Sequence, residues 1–188
     1  SIAAILDAAG IPVESYKANL LFEPHEIVSN SGEPFKVFSA FWRAALNHGE
    51  PRRPLPAPQK IRSGSNDIDS LPLKSLDLLP RFPDWAGGIS QALQPGEASA
   101  IRQLAQFVDG RLDRYADDRD KPAVDGTSGL SPYLRFGEVS PFQVWEAADA
   151  NGKSAAKFRA EIGWREFCYH LLGQFPALAD RNFKAAFD

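Results

Sequence analysis

The most regular hydrophobic pattern in the chain runs through Ile101, Leu104, Ala105, Val108, Leu112 and Tyr115, spaced as one face of a helix. Pro95 and Glu97 stand ahead of it, as helix starts prefer, so the pattern predicts a helix from about Pro95 to Ala116. Phe38, Phe41 and Trp42 fall at i, i+3 and i+4, which makes the aromatic stretch 35–46 helical from at least Ser39, with His48-Gly49 as its end. Further on, two Ser-Pro pairs mark helix starts: Ser is a good N-cap and Pro suits the next position. They predict a short helix from Ser131 to Gly137 and a second from Ser140 to about Asn151-Gly152, where Ser140 and Gln143 complete a capping box. A last helix spans about Ser154 to Phe175, stopped by Pro176.

The N-terminal third reads differently. Residues 2–9 resemble the end of a helix closed by Gly10, and Ile11-Pro12-Val13 reads as a short strand followed by the apolar Leu20-Leu21-Phe22. A strand with no sheet to join suggests the remnant of an α/β domain. Residues 23–33 are rich in turn formers, and four prolines at 51, 54, 56 and 58 impose an extended course. Residues 47–95 therefore read as a long connector with modest elements at 71–79 and 82–85, which argues for more than one domain. The expected division is 1–33 for the α/β remnant, 34–95 for the linker and 96–188 for a helical unit, and the expected fold class is mainly α.

Composition narrows the classes. Of 188 residues 44% are apolar and 24% charged, enough for a packed core in a globular protein. No apolar run approaches the length of a membrane span, and residues 1–9 lack the basic start of a signal peptide. The single cysteine, Cys168, forms no internal disulfide, and no Cys/His set has metal spacing, so a reducing, cytoplasmic setting without a metal is expected. The net charge of −3 gives no global attraction to nucleic acid, although Arg43, Arg52, Arg53, Lys60 and Arg62 form a local basic strip.

Two stretches could carry chemistry. Glu161, Trp164 and Arg165 are spaced i, i+3, i+4 beside a stripe of Phe158, Ile162, Tyr169 and Leu172, the expected core face. A flat indole with a charge of each sign suits stacking on a planar group and hydrogen bonding to its edge. The alternative is a core tryptophan beside an ordinary ion pair. Thr127–Ser131 offers two kinds of hydroxyl, free backbone amides and a glycine, an arrangement that suits a phosphate; the alternative is capping and a turn. It is neither a P-loop nor a dinucleotide fingerprint. No Gly-x-Ser-x-Gly element supports a hydrolase, and His25, His48 and His170 have no mutual metal spacing. Tyr115 and Trp145 read as core aromatics.

Taken together and in order, four segments resemble the photolyase/cryptochrome family, with a class I-like deoxyribodipyrimidine photolyase pattern. They are Phe35-Lys-Val-Phe-Ser-Ala-Phe-Trp42; Tyr115 with Arg119-Asp120 and Pro122-Ala-Val; Thr127-Ser-Gly-Leu-Ser131-Pro-Tyr-Leu-Arg-Phe-Gly137-Glu-Val-Ser140; and Glu161-Ile-Gly-Trp164-Arg165-Glu166-Phe167. The resemblance implies light-driven repair of pyrimidine dimers in DNA by electron transfer from reduced FAD. It implies FAD contacts at Tyr115, Thr127, Ser128, Gly129, Leu130, Ser131, Phe158 and Arg165. Glu161 and Trp164 would be the catalytic pair against a flipped-out lesion, the indole stacking and the carboxylate hydrogen-bonding. Arg119, Glu161, Trp164, Arg165, Glu166, Phe167 and Cys168 would lie along the damaged DNA. Gly129 stands where relatives often carry Arg, and Phe158 where Trp occurs. The resemblance places the chain across the end of the antenna domain, the linker and the first part of the helical FAD-binding domain, so this polypeptide alone is expected to bind FAD weakly or not at all. Three alternatives stay open: a cryptochrome photoreceptor, a non-catalytic helical interaction module, and nucleic-acid binding through residues 43–62.

Overall fold

The structure is a computed structural model that describes residues 2–62, 64, 69–79, 81–148, 152–183 and 186. Eight α-helices carry the described chain: α1 (Ile2–Ala8), α2 (Phe38–His48), α3 (Gly87–Ala92), α4 (Glu97–Gly110), α5 (Tyr115–Asp118), α6 (Ser131–Phe136), α7 (Pro141–Ala147) and α8 (Lys153–Gln174). Short 3-10 turns lie at Leu73–Leu76, Leu112–Arg114 and Pro176–Ala179, and no strand occurs among the described residues.

Helix α8 is the spine. It packs against α2, α5, α7 and the turns at Leu112–Arg114 and Pro176–Ala179. Its buried residues, Ala155, Phe158, Ile162, Gly163, Glu166, Phe167 and His170, cover more than one face. That is why a single-stripe reading misplaces its C-terminal half: Tyr169 is only half-buried and Leu172 is exposed. The interior they join includes Phe41, Phe107, Leu112, Leu130 and Phe142, and Leu21, Phe22 and Ile27 from the N-terminal segment enter the same cluster. Phe107 lies 4.6 Å from Phe158 between ring centroids. At Gly163 the indole of Trp42 sits so near the helix that a Cβ there would lie 2.5 Å from it, so α2 and α8 approach only because position 163 has no side chain.

Several expectations are corrected in detail. Ile11-Pro12-Val13 forms no strand; without a partner its backbone gains nothing from an extended ladder, and Ile11 and Val13 are exposed. Helix α1 does form, closed by Gly10 at φ 73°, but buries no residue. The α/β remnant is thus a helix and irregular chain. The long helix expected over 95–116 breaks after Gly110: Arg111 turns to φ −130°, and a 3-10 turn then swings Leu112 and Tyr115 inward. Helix α6 begins at Ser131 itself, with Leu130 as an N-cap that makes no side-chain bond. By contrast, Ser140 accepts from the Gln143 amide while Gln143 accepts from that of Ser140, so the capping box forms as expected. The expected end of this helix near Asn151 falls at 149–151, outside the described residues; α7 closes at Ala147. Helix α3 was not foreseen, because Gly87-Gly88 reads as a loop.

Candidate functional site

A cavity of about 640 Å³ opens between α5, the loop 127–130, α6 and α8. Tyr115, Thr127, Ser128, Gly129, Leu130, Ser131, Phe158 and Arg165, all eight residues expected to hold a cofactor, line it, and Glu161 lines it with them. Leu134, Arg135, Ile162 and Tyr169 complete the wall and were missed. Helical spacing was the available signal: Ser131 with Arg135, Phe158 with Ile162, and Arg165 with Tyr169 are each i, i+4.

The cavity has two characters. At one end Tyr115 meets Phe158 edge-on, at 5.2 Å between centroids and 82° between planes. Burial raises the Tyr115 phenol above its usual pKa, so it remains a neutral donor. At the other end lies the 127–131 loop. Gln103 donates to the Ser128 carbonyl at 2.7 Å and pins the loop, and Gly129 takes φ 65°, a conformation that side chains disfavour. Any Cβ at 129 would also come 2.9 Å from Gln103 Nε2.

Glu161 reaches the cavity already paired. Its carboxylate binds the Arg119 guanidinium, and Lys157 Nζ stands 3.6 Å away. Arg119 also lies over the Tyr115 ring, 5.4 Å from the centroid, and its hydrogen bond to Glu161 raises its pKa further. Arg165 is held by two partners, donating to Glu166 Oε1 at 2.9 Å and to Asn19 Oδ1 at 2.8 Å, and it packs over Tyr169.

Behind this wall, Glu166 and His170 anchor the N-terminal segment. Glu166, 2% exposed, accepts from the amides of Leu21 at 2.7 Å and Phe22 at 3.2 Å. Burial pushes its carboxyl up to about 7, against the opposing pull of those amides and of Arg165. His170, also buried, accepts from the Phe35 amide at 3.1 Å through Nε2, which places its proton on Nδ1. Burial lowers its pKa, so the ring is neutral. The expected contact of Glu166 and Phe167 with DNA is therefore corrected: both side chains are buried, Glu166 against the 21–22 backbone and Phe167 against Phe41. Cys168 is exposed.

Trp164 separates from its expected companions. It stacks on Phe38, with centroids 3.7 Å apart and planes at 11°, and is 44% exposed. Glu161 and Arg165, one turn apart, share the cavity, whereas Trp164 lies about 60° round the helix from Glu161 and reaches α2 instead. The structure thus brings Glu161 together with the cofactor residues and leaves the indole outside them.

Other hollows carry less chemistry. One of about 800 Å³ lies along the connector, where Leu73, Leu78 and Leu79 line it with Lys74 and the exposed ion pair of Arg81 with Asp77. Another of about 370 Å³ involves the basic strip. There Arg52 lies 3.9 Å from the Phe142 centroid and donates to the carbonyls of Lys17 and Arg53, while Trp145 Nε1 donates to Glu50 at 2.9 Å. These bonds fasten the connector to α7. Among the described residues no group of three His, Cys, Asp or Glu could hold a metal, and no helix is long and apolar enough to cross a membrane.

The DNA photolyase family model matches residues 1–59. The deoxyribodipyrimidine photo-lyase of Agrobacterium fabrum is 41% identical over 184 residues, 95% of this chain and 38% of that protein. Cryptochrome-1 of Arabidopsis thaliana is 32% identical over 191 residues, 94% of this chain and 28% of that protein. The crystal structure of a bacterial class III photolyase from Agrobacterium tumefaciens superposes with a TM-score of 0.94 at 40% identity, over 100% of this chain and 40% of that one. That relative is class III, whereas the motifs resemble the class I pattern. The chain thus spans about two fifths of the length of these photolyases, and over that span it belongs to the DNA photolyase/cryptochrome family.

Proposed function

We propose that the cavity between Tyr115 and Tyr169 is one wall of an FAD site, in a protein that repairs pyrimidine dimers in DNA under light. The observation that carries this reading is the convergence on one cavity of Tyr115, Thr127–Ser131, Phe158 and Arg165. These residues are dispersed over the second half of the chain and were expected together only through the family resemblance. The donor set suits the group. The hydroxyls at 127, 128 and 131 would hold the phosphate groups, and the aromatic and aliphatic side chains, Tyr115 and Phe158 among them, would cover apolar surface. FAD, when bound, supplies the electron-transfer chemistry of repair.

The chain's own residues bind and orient. Glu161, held by Arg119, presents a carboxylate as a hydrogen-bond acceptor toward a base entering the cavity mouth. Trp164 offers the outer face of its indole to a displaced base, its inner face being covered by Phe38. Arg119 and Cys168 line the approach of the DNA strand. In this reading residues 1–33 end an antenna domain, 34–95 link it to the next, and 96–188 begin the helical FAD-binding domain, in a cytoplasmic protein. By itself a flavin wall of this extent binds FAD weakly or not at all.

The test is dimer repair by a full-length polypeptide carrying this chain. Under blue light the reduced flavoprotein should restore dimer-containing oligonucleotides, and Trp164→Ala should impair damaged-DNA binding while leaving flavin content unchanged. Absence of repair with bound, reduced flavin would sink the photolyase reading. That outcome would favour the cryptochrome reading, which the engagement of Trp164 with Phe38 and the similarity to cryptochrome-1 also support.

A further inference from the structure

The cavity is lined by two cations, Arg135 and Arg165. They differ in what they have left to give. Arg165 is committed to Glu166 and Asn19 and lies over Tyr169. Arg135 is exposed and has no hydrogen bond or ion pair among the described residues. It stands one helical turn after Ser131, on the same face of α6, and both residues line the cavity. The neighbouring position 129 is a glycine at positive φ and offers no charge. Helix α6 has six residues, so its dipole adds little at this end. The carboxylate of the cavity, Glu161, is neutralised by Arg119 and Lys157. What remains uncompensated is one exposed positive charge in a cavity that the hydroxyl-bearing Thr127, Ser128 and Ser131 also line.

We propose that Arg135 is the phosphate-recognition residue of this cavity, supplying from α6 its one uncommitted positive charge. It makes the site select a flavin bearing phosphate groups over one without them. The inference rests on the flavin reading of the cavity. A guanidinium suits this task because its planar fork bonds two phosphate oxygens at once. Such charge-assisted bonds at a partly exposed site correspond to roughly tenfold in affinity.

The experiment titrates a full-length polypeptide carrying this chain, freed of its flavin, with FAD and, separately, with riboflavin, following flavin fluorescence at low and moderate salt. Wild type should bind FAD at least roughly tenfold more tightly than riboflavin, with a preference that shrinks as salt rises. Arg135→Gln should bring FAD down to the riboflavin level and leave riboflavin binding unchanged, and Arg135→Lys should recover part of the preference. Equal FAD and riboflavin affinity in wild type, or an unchanged preference in Arg135→Gln, overturns the role of Arg135 while leaving the flavin site standing. Loss of both ligands in Arg135→Gln with an unaltered circular dichroism spectrum also overturns it, since the effect would then not be specific to phosphate. Failure of wild type to bind either flavin overturns both the inference and the reading on which it rests.

Discussion

Replacing Glu166 tests how the N-terminal segment is attached to the helix that carries the site. In Glu166→Ala the amides of Leu21 and Phe22 lose their acceptor inside the protein, and Arg165 loses one of its two partners. Each orphaned buried donor costs about 1–3 kcal/mol, and breaking a buried charge pair from one side costs about 3–5 kcal/mol. We expect a loss of about 4 kcal/mol in urea unfolding, or about 10 °C in Tm for a chain of this size. Glu166→Gln keeps an acceptor oxygen in place and should lose far less. The two variants also separate by pH. The carboxyl is raised from 4.5 to about 7, so the folded state holds its proton more tightly than the unfolded state does. Its contribution is therefore fully present below pH 4.5 and is lost as pH rises through about 7, a swing of ~3 kcal/mol. Glu166→Gln removes that slope and should match or exceed wild type above pH 7. His170 acts in the opposite sense: with its pKa lowered, its contribution is present above 6.5 and is lost as pH falls through the lowered value. An alanine variant within 1 kcal/mol of wild type, or a glutamine variant as unstable as alanine, would refute this view of the anchor.

Gly163→Ala should destabilise by about 1–3 kcal/mol because its methyl meets the Trp42 indole, and Trp42→Leu should relieve most of that loss in the double variant; additive losses in the unfolding curves would argue against the contact. Ser140→Ala breaks the capping box at α7 and should cost about 1 kcal/mol by thermal unfolding, with no loss in flavin affinity. Arg119→Gln removes the cation nearest the Tyr115 ring, so the phenol, already raised by burial, should titrate at still higher pH in ultraviolet difference spectra; a downward move would contradict the arrangement.

Much of the fold was legible because the signals were local. The capping box at Ser140 and Gln143 and the aromatic spacing of Phe38, Phe41 and Trp42 need only a few adjacent residues to act. The misreadings arose where distant chain intervened. Glu166 and Phe167 stand beside Arg165 in sequence and resembled a DNA-facing surface, but the 20–35 segment and α2 fold over that side of α8 and bury both. Trp164 left the expected face for the same reason, since Phe38 of α2 supplies a flat partner that helical spacing alone does not reveal. The strand at 11–13 needed a sheet, and its apparent hydrophobicity had no surface to meet. At the site, the lining residues Arg135, Ile162 and Tyr169 were discoverable by extending the same one-turn spacing that linked Glu161 to Arg165. The buried anchors Glu166 and His170 were not, because their partners are backbone amides more than a hundred residues away.

The central claim, that the cavity between Tyr115 and Tyr169 is a flavin-binding wall, is tested most directly by mapping backbone amide shifts during titration of a flavin-free, full-length polypeptide carrying this chain with FAD. The account predicts shifts concentrated at Tyr115, Thr127–Ser131 and Phe158–Arg165, with the amides of Glu50–Arg53 undisturbed. Shifts centred on the hollow at Arg52 and Trp145, or no shifts at saturating FAD, would contradict it.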